Sequence, residues 1–544
     1  MRLFRPGRCA AAAVLAMLTG CGPAPGEPPT GTQNKFHDQS ITWHDCRTDP
    51  ADEIGERLAA ANARCGEFRA PLNYADPAGQ TITIAIARRP ATDPARRVGT
   101  LFVQTGGPGP SRDGVTMILD GPEGGHAAPA LAERYDLVGM DPRFFGASTP
   151  LECDWPTATY LGVAQSAPAN RADFDRTVDA SRTLASHCAP HRTSLPHAST
   201  RAVARDMDLL RVLLGESKVS YIGWSWGTYL GAVYLRMFGE HVDRIVLDSV
   251  LDPRAPGPDL TRETAAADAA ALADWARWTA GNDAEFGLGA TRDEVLDTVD
   301  DIVRAAAARP IPLGGLPITA DLIPGLLLTV DDSDASYAEL SRQVRLLRDA
   351  ADGTEVAPTP VLARKLALYT DTTTTPELGF SATVANQCAD RPARGVEEYY
   401  ADIQAHRDAE PLFGALARHL SPCAVWPTEP SEPATEVGNP HPALLIGAAG
   451  DPVAPLAGQR ALRQALTGSR SITVADKFRH GVYLFEANAC VDTAVERYLV
   501  DGSLPADATC EPDQPYGPVS KAGWDFETKP IERRACAARP HGQG

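Results

Sequence analysis

The sequence predicts an α/β architecture: a mainly parallel sheet, wound with helices on both faces and broken by a helical insertion. Three observations predict it. Short apolar runs rich in Val, Ile and Leu recur along the chain without polar alternation, as strands buried on both faces of a parallel sheet require. Most of these runs end in a turn rich in Gly, Asp or Pro, and helical patterns lie between them. The alternation stops between about residues 253 and 430 and then resumes, as it does when a helical unit interrupts one sheet.

Taken in order, the expected strands are "TITIAIARR" from Thr81, "GTLFVQ" from Gly99, "YDLVGM" from Tyr135, "VSYIGW" from Val219, "DRIVLD" from Asp243, "PALLIGA" from Pro442 and "SITVAD" from Ser471. Helical patterns over residues 200–214 and 228–238 bracket the fourth strand. Inside the insertion, three Ala-rich segments start near residues 261, 291 and 334, the second with Thr291 and Glu294 spaced as a capping box. The Pro-rich stretch over residues 424–442 reads as the return linker. The resulting division is a signal segment 1–20, a tether 21–42, a core 43–252, a helical insertion 253–430, a returning core 431–510 and a tail 511–544.

A chain of 544 residues with 43% apolar and 22% charged residues is globular. Its formal net charge of -19 argues against a nucleic-acid partner. The N-terminus speaks to compartment. Arg2, Arg5 and Arg8 precede the short apolar run "CAAAAVLAMLTG", which is too short to span a bilayer. Cys21 follows Leu18-Thr19-Gly20 in the manner of a bacterial lipobox, so lipidation at Cys21 and a flexible tether over 22–35 are expected, with simple secretion as the alternative. In an oxidising compartment the neighbours Cys46/Cys65, Cys153/Cys188, Cys388/Cys423 and Cys490/Cys510 would pair and leave Cys536 odd, although sequence alone does not decide connectivity. No CxxC spacing points to zinc, and no metal or other cofactor is implied. Oligomeric state is not encoded in any feature of the sequence.

The pentapeptide Gly223-Trp224-Ser225-Trp226-Gly227 sits where the fourth strand gives way to a helix. G-x-S-x-G between strand and helix is the pattern of a strained turn that holds a serine hydroxyl out, with the next N–H, that of Trp226, facing an oxyanion. A tight turn with a capping serine is the plainer reading. A serine hydroxyl is a weak nucleophile at neutral pH and needs a base, which in turn needs an orienting acid. Six histidines follow Ser225. His241 lies just past the helix, His406 and His419 fall in the insertion, His441 opens a strand at its wrong end and His541 is in the tail, which leaves His480 after the last expected strand. Asp451, in "GDPVAP", fits the acid by strand position and order; Asp248 and Asp252, one strand earlier, compete, and capping of a following helix is the plainer role for Asp451. The turn "TGGPGPSR" after the second strand offers the N–H groups of Gly106 and Gly107 as further oxyanion donors.

The motifs "GGPG" at 106–109, "DPRFFGAS" at 141–148, "GWSWGTYLG" at 223–231, "GDPVAP" at 450–455 and "RHGVY" at 479–483 occur in this order. As a set they resemble the α/β-hydrolase peptidases of the proline iminopeptidase and tripeptidyl aminopeptidase group, especially exported actinobacterial members with a TAP-like C-terminal part. The resemblance runs from about residue 43 to 510. It implies an α/β-hydrolase fold with a helical cap and a serine exopeptidase acting on peptides with free N-termini, with Ser225 as nucleophile, His480 as base, Asp451 as acid, and Trp226 with Gly106-Gly107 as oxyanion hole. It also implies that a cap carboxylate receives the substrate ammonium group, for which Asp390 in "NQCADRP" and Glu397 and Glu398 in "GVEEYY" are candidates. Where "DPRGTGxS" is commoner in the group, this chain has Phe144 and Phe145, expected to reshape the entrance. An esterase or lipid hydrolase on the same triad is the main alternative, although "GGPG" in place of an HGGG motif favours the peptidase. A catalytically silent binding module would be expected to lack one of the three residues, and all three are present.

Overall fold

The computed structural model describes residues 35–47, 52–122, 124–375 and 378–512. Cys21, the tether's first part and Cys536 lie outside them. Ten strands form one sheet: β1 (His44–Asp45), β2 (Arg64–Pro71), β3 (Thr81–Arg89), β4 (Gly99–Gln104), β5 (Tyr135–Met140), β6 (Val219–Trp224), β7 (Val242–Asp248), β10 (Leu444–Ala448), β11 (Arg470–Val474) and β12 (Ala508–Cys510). Their order across the sheet is β1-β2-β3-β5-β4-β6-β7-β10-β11-β12. From β5 through β4 to β12 every pairing is parallel; β1, β2 and β3 add an antiparallel edge. All seven strands expected from the sequence are present. β2 was not expected, because "RCGEFRAP" mixes charge, Gly and Pro and buries only alternate residues along most of its length.

Every residue of β5 and of β6 is buried, which is why those runs carry no polar alternation. One apolar cluster covers one face of the sheet with Tyr221, Leu230, Val233 and Leu247; a second covers the other with Leu101, Ile222, Val246 and Ile446. The helix Trp226–Phe238 lies within the first cluster and is buried along ten of its residues, so its apolar character runs all round. Gly231 allows that contact: a Cβ there would lie 2.6 Å from Leu247 and 2.7 Å from the Tyr221 ring.

The insertion has a core of its own, built on Trp275, Val299, Ile318 and Val344. Thr291 caps its helix Arg292–Ala308 by accepting from the Glu294 N–H, while the Glu294 carboxylate accepts from Ala290 N–H at 2.7 Å, one residue earlier than a capping box places it. The insertion is not wholly helical. β8 (Ile311–Leu313) and β9 (Leu316–Ile318) form a hairpin through Gly314 and Gly315, both at positive φ, a two-residue turn that only glycine enters freely. Helices Thr157–Ala164 and Arg171–Cys188, from between β5 and β6, join the same roof: Phe174 and Val178 pack with Tyr399, Ile403 and Leu420 of the insertion.

All four neighbouring cysteine pairs are disulfides: 46–65, 153–188, 388–423 and 490–510. They close loops of 19 to 35 residues, each worth about 3 to 4 kcal/mol in the chain-entropy account. Such bonds persist in an extracellular or otherwise exported setting. No helix of the described residues is long and apolar enough to cross a membrane.

Candidate active site

Ser225 lies between β6 and its helix with φ 54° and ψ −124°, a conformation that costs an L-residue energy and is held by its surroundings. Two glycines make room for it. A Cβ on Gly223 would lie 2.7 Å from the Gly227 carbonyl oxygen, and one on Gly227 would lie 2.9 Å from that of Gln104. The Ser225 N–H donates to the Asp248 carbonyl at 3.0 Å, and its own carbonyl accepts from the N–H and the hydroxyl of Thr228. Its side chain does not cap the helix, so the hydroxyl is not spent on the turn.

Over this turn lies the loop that ends β4. Gly106 and Gly107 both have φ 104°, and a Cβ on Gly106 would meet the Trp224 carbonyl oxygen at 2.8 Å and Ser225 Cβ at 3.1 Å. Among the described residues neither glycine N–H donates to a protein acceptor, and Trp226 N–H, first in its helix, has no intrahelical acceptor. The loop is pinned from beneath by a residue the sequence reading did not single out. Asp141 is fully buried after β5 and accepts from Ser111 N–H, Arg112 N–H and Ala147 N–H at 2.8–2.9 Å and from Arg112 Nε at 2.7 Å. Gly146 is needed there, because a Cβ would strike the Asp141 carboxylate at 2.3 Å. Phe144 and Phe145 of the same motif are buried in the core, contrary to their expected place at an entrance; Phe145 packs beneath Gly379.

His480 and Asp451 meet directly: His480 Nδ1 lies 2.9 Å from Asp451 Oδ2 and 3.1 Å from Oδ1. Asp451 is buried and also accepts from Val453 N–H and Ala454 N–H. Asp248 plays a different part. Its carboxylate accepts from Tyr483 N–H at 2.7 Å and Val482 N–H at 3.2 Å, and Ser249 Oγ accepts from Gly481 N–H at 2.7 Å. The end of β7 thus holds Ser225 by a backbone carbonyl and the His480 loop by side chains. Asp252 is paired with Arg254 at the surface.

A chain of this fold and site can be placed among known proteins. Residues 99–300 match the alpha/beta hydrolase fold family and residues 410–510 the TAP-like protein family. A tripeptidyl aminopeptidase of Streptomyces coelicolor is 33% identical over 485 residues, covering 87% of this chain and 86% of that protein. The chain belongs to the tripeptidyl aminopeptidase family of α/β hydrolases. Serine protease Hip1 of Mycobacterium tuberculosis is 28% identical over 91% of this chain and 95% of its own length, and a carboxylesterase B of the same species is 30% identical over 89% and 91%.

In this hydrolase, burial disfavours the His480 imidazolium, but the charge and hydrogen bond of Asp451, with Asp248 behind them, prevail and lift its pKa above the ordinary 6.5. A general base must be neutral. With His480 in the proposed role of base, the acid limb of kcat/KM is expected above pH 6.5, activity falling as pH drops through it, and Asp451→Asn should move that limb downward; a pH–rate profile of both proteins checks it.

Beside Trp226 and Pro108 is a small cavity closed by Asn386, Gln387 and Asp390 of the insertion. Gly257, Leu260 and Gln387 also line an adjoining cavity of about 170 Å³ that reaches Tyr160 and His419. Asp390 is buried and accepts from Thr200 N–H at 2.7 Å and Thr200 Oγ1 at 2.6 Å, with no ion pair among the described residues. Burial lifts its carboxyl to about 7, against the opposing effects of Thr200, Arg391 and Arg201. Trp226 Nε1, also buried, has no hydrogen-bond partner among the described residues. Asp268, unremarked in the sequence, is a second buried carboxyl without an ion pair among the described residues, lifted to about 7 by burial and by the charge of Asp451. The other sequence candidates lie apart: Glu397 is exposed in a two-pronged ion pair with Arg171, and Glu398 is exposed. A larger cavity of about 490 Å³, around Tyr74, Arg205 and Glu432, contains none of these groups.

Proposed function

We propose that the protein is an exported serine exopeptidase that cleaves peptides from a free N-terminus. In this reading the Ser225 hydroxyl attacks the scissile carbonyl carbon while His480 takes its proton, and Asp451 holds the imidazole and its developing charge. The oxyanion is received by Trp226 N–H and an N–H of Gly106 or Gly107. His480 then gives the proton to the leaving amine, and water hydrolyses the acyl-enzyme by the same route. The proposed setting is a membrane surface, reached through a lipid on Cys21.

The observation that carries the exopeptidase reading is the unpaired, buried carboxyl of Asp390 beside Trp226. A buried carboxylate without a cation is costly, and a substrate ammonium group would supply the missing charge. The tripeptidyl aminopeptidase name of the Streptomyces relative agrees with it, and the serine protease name of the Mycobacterium relative agrees with peptide hydrolysis. The carboxylesterase name of another relative supports a second reading, hydrolysis of esters by the same triad.

A fluorogenic tripeptide amide, its N-acetyl counterpart and a short-chain ester separate the two. Preference for the free amine, with Asp390→Asn raising its KM about 10-fold or more and leaving turnover of the ester unchanged, is the expected result. Ester turnover with no cleavage of either peptide would replace the peptidase by an esterase.

A further inference from the structure

The loop that carries His480 is satisfied from two directions. Its later amides, those of Gly481, Val482 and Tyr483, are held by Ser249 and Asp248 of the sheet. The amides at and just before the histidine are held by the insertion: His480 N–H donates to the Val330 carbonyl at 2.9 Å, and Phe478 N–H to Asp332 Oδ2 at 3.0 Å. Asp332 is nearly buried, and Lys477 Nζ and Arg479 Nη1 each stand 3.8 Å from its carboxylate. Arg479 folds back over its own loop, donating through Nε to the Gly481 carbonyl, through Nη2 to that of Phe485 and through Nη1 to Glu486. Lys477 completes the cluster with Glu486 at 3.0 Å.

We infer that Asp332 is a positioning residue for His480, so that the segment Val330 to Asp332 of the insertion seats the general base as well as roofing the site. This rests on His480 being the base. Asp332 accepts the Phe478 amide and gathers the two cations of the loop, and the neighbouring Val330 carbonyl fixes the backbone of the histidine itself. A base needs its nitrogen held to a fraction of an ångström, and a displacement of about 1 Å costs on the order of 100-fold in rate. Asp476 and Leu484 in this loop have positive φ, a backbone conformation that the surrounding contacts must hold.

The prediction separates seating of the base from shaping of the substrate site. In the full-length protein, Asp332→Ala is expected to lower kcat about 10- to 100-fold on both a short-chain p-nitrophenyl ester and a tripeptide amide, with KM within 2-fold of wild type. Asp332→Asn, which keeps volume and an acceptor but loses the charge that gathers Lys477 and Arg479, is expected to lose about 3- to 10-fold in the same pattern. Circular dichroism shows which variants are folded, and if the alanine variant is not, the asparagine variant decides alone. A rise in KM for the peptide with wild-type ester turnover would overturn the inference, as would wild-type kcat in Asp332→Asn. His480→Ala is the separate check on the base: its loss of both activities keeps that premise, and its retention of them removes the premise and the inference together.

Discussion

Alanine at position 225 is expected to lower kcat by about 10⁶-fold on every substrate the wild type turns over, with the fold intact. The hydroxyl is not used to hold the elbow: the backbone of Ser225 bonds to Asp248 and Thr228, whereas its side chain does not cap the helix. Removing it therefore takes away the proposed attacking atom and little else. Stability follows another residue property. Ser225 has φ 54°, and alanine is no freer there than serine, so the melting temperature of Ser225→Ala should stay close to wild type. Ser225→Gly relieves the strain and should gain about 1 kcal/mol in urea unfolding while being equally inactive. A stable, inactive pair of variants is the signature of strain held for function. Appreciable turnover by Ser225→Ala would dismiss the serine mechanism.

The parts of the molecule legible in the sequence are those set by neighbours in the chain. The central strands announce themselves most plainly because burial on both faces admits almost nothing but apolar residues, and the four disulfides join cysteines that are also sequence neighbours. The elbow is legible for the same reason: Gly223, Ser225 and Gly227 act on one turn. The hairpin β8–β9 carried its signal in Gly314-Gly315 but was submerged among helical patterns. What stayed hidden is long-range and polar. Asp141 serves Ser111 and Arg112 from about 30 residues away, and Asp332 serves Phe478 from 146 residues away. No periodicity records such a bond, because one acidic residue after a strand or before a helix looks like any other. The same blindness affected the acidic candidates: Glu397 and Glu398 offered a conspicuous pair but lie exposed, while Asp268, isolated in an Ala-rich helix, is buried near Asp451.

Asp451→Asn and Asp248→Asn are expected to differ sharply, and the difference identifies the orienting acid. Asp451 touches the imidazole, so its amide isostere leaves the ring in place but removes the charge that stabilises imidazolium; a loss of about 10⁴-fold in kcat is expected. The Asp248 carboxylate bonds to the backbone of the loop, at Val482 and Tyr483, and to the Ser249 hydroxyl. An asparagine there keeps one acceptor and turns an amino group toward an N–H, so about 10- to 100-fold in kcat should go, through misplacement of the loop. The pH dependence of stability separates them again. Burial lifts the Asp248 carboxyl to about 6 in the folded protein, partly offset by the N–H groups of Tyr483 and Val482. The folded state then holds a proton that the unfolded state has released, so this group's contribution to stability falls as pH rises from the usual carboxylate range to about 6. Wild type measured against Asp248→Asn by urea unfolding should lose relative stability across that window. If instead Asp248→Asn is the variant that loses about 10⁴-fold and Asp451→Asn loses under about 10-fold, the acid sits one strand earlier, and the 2.9 Å contact between His480 and Asp451 only steadies the ring.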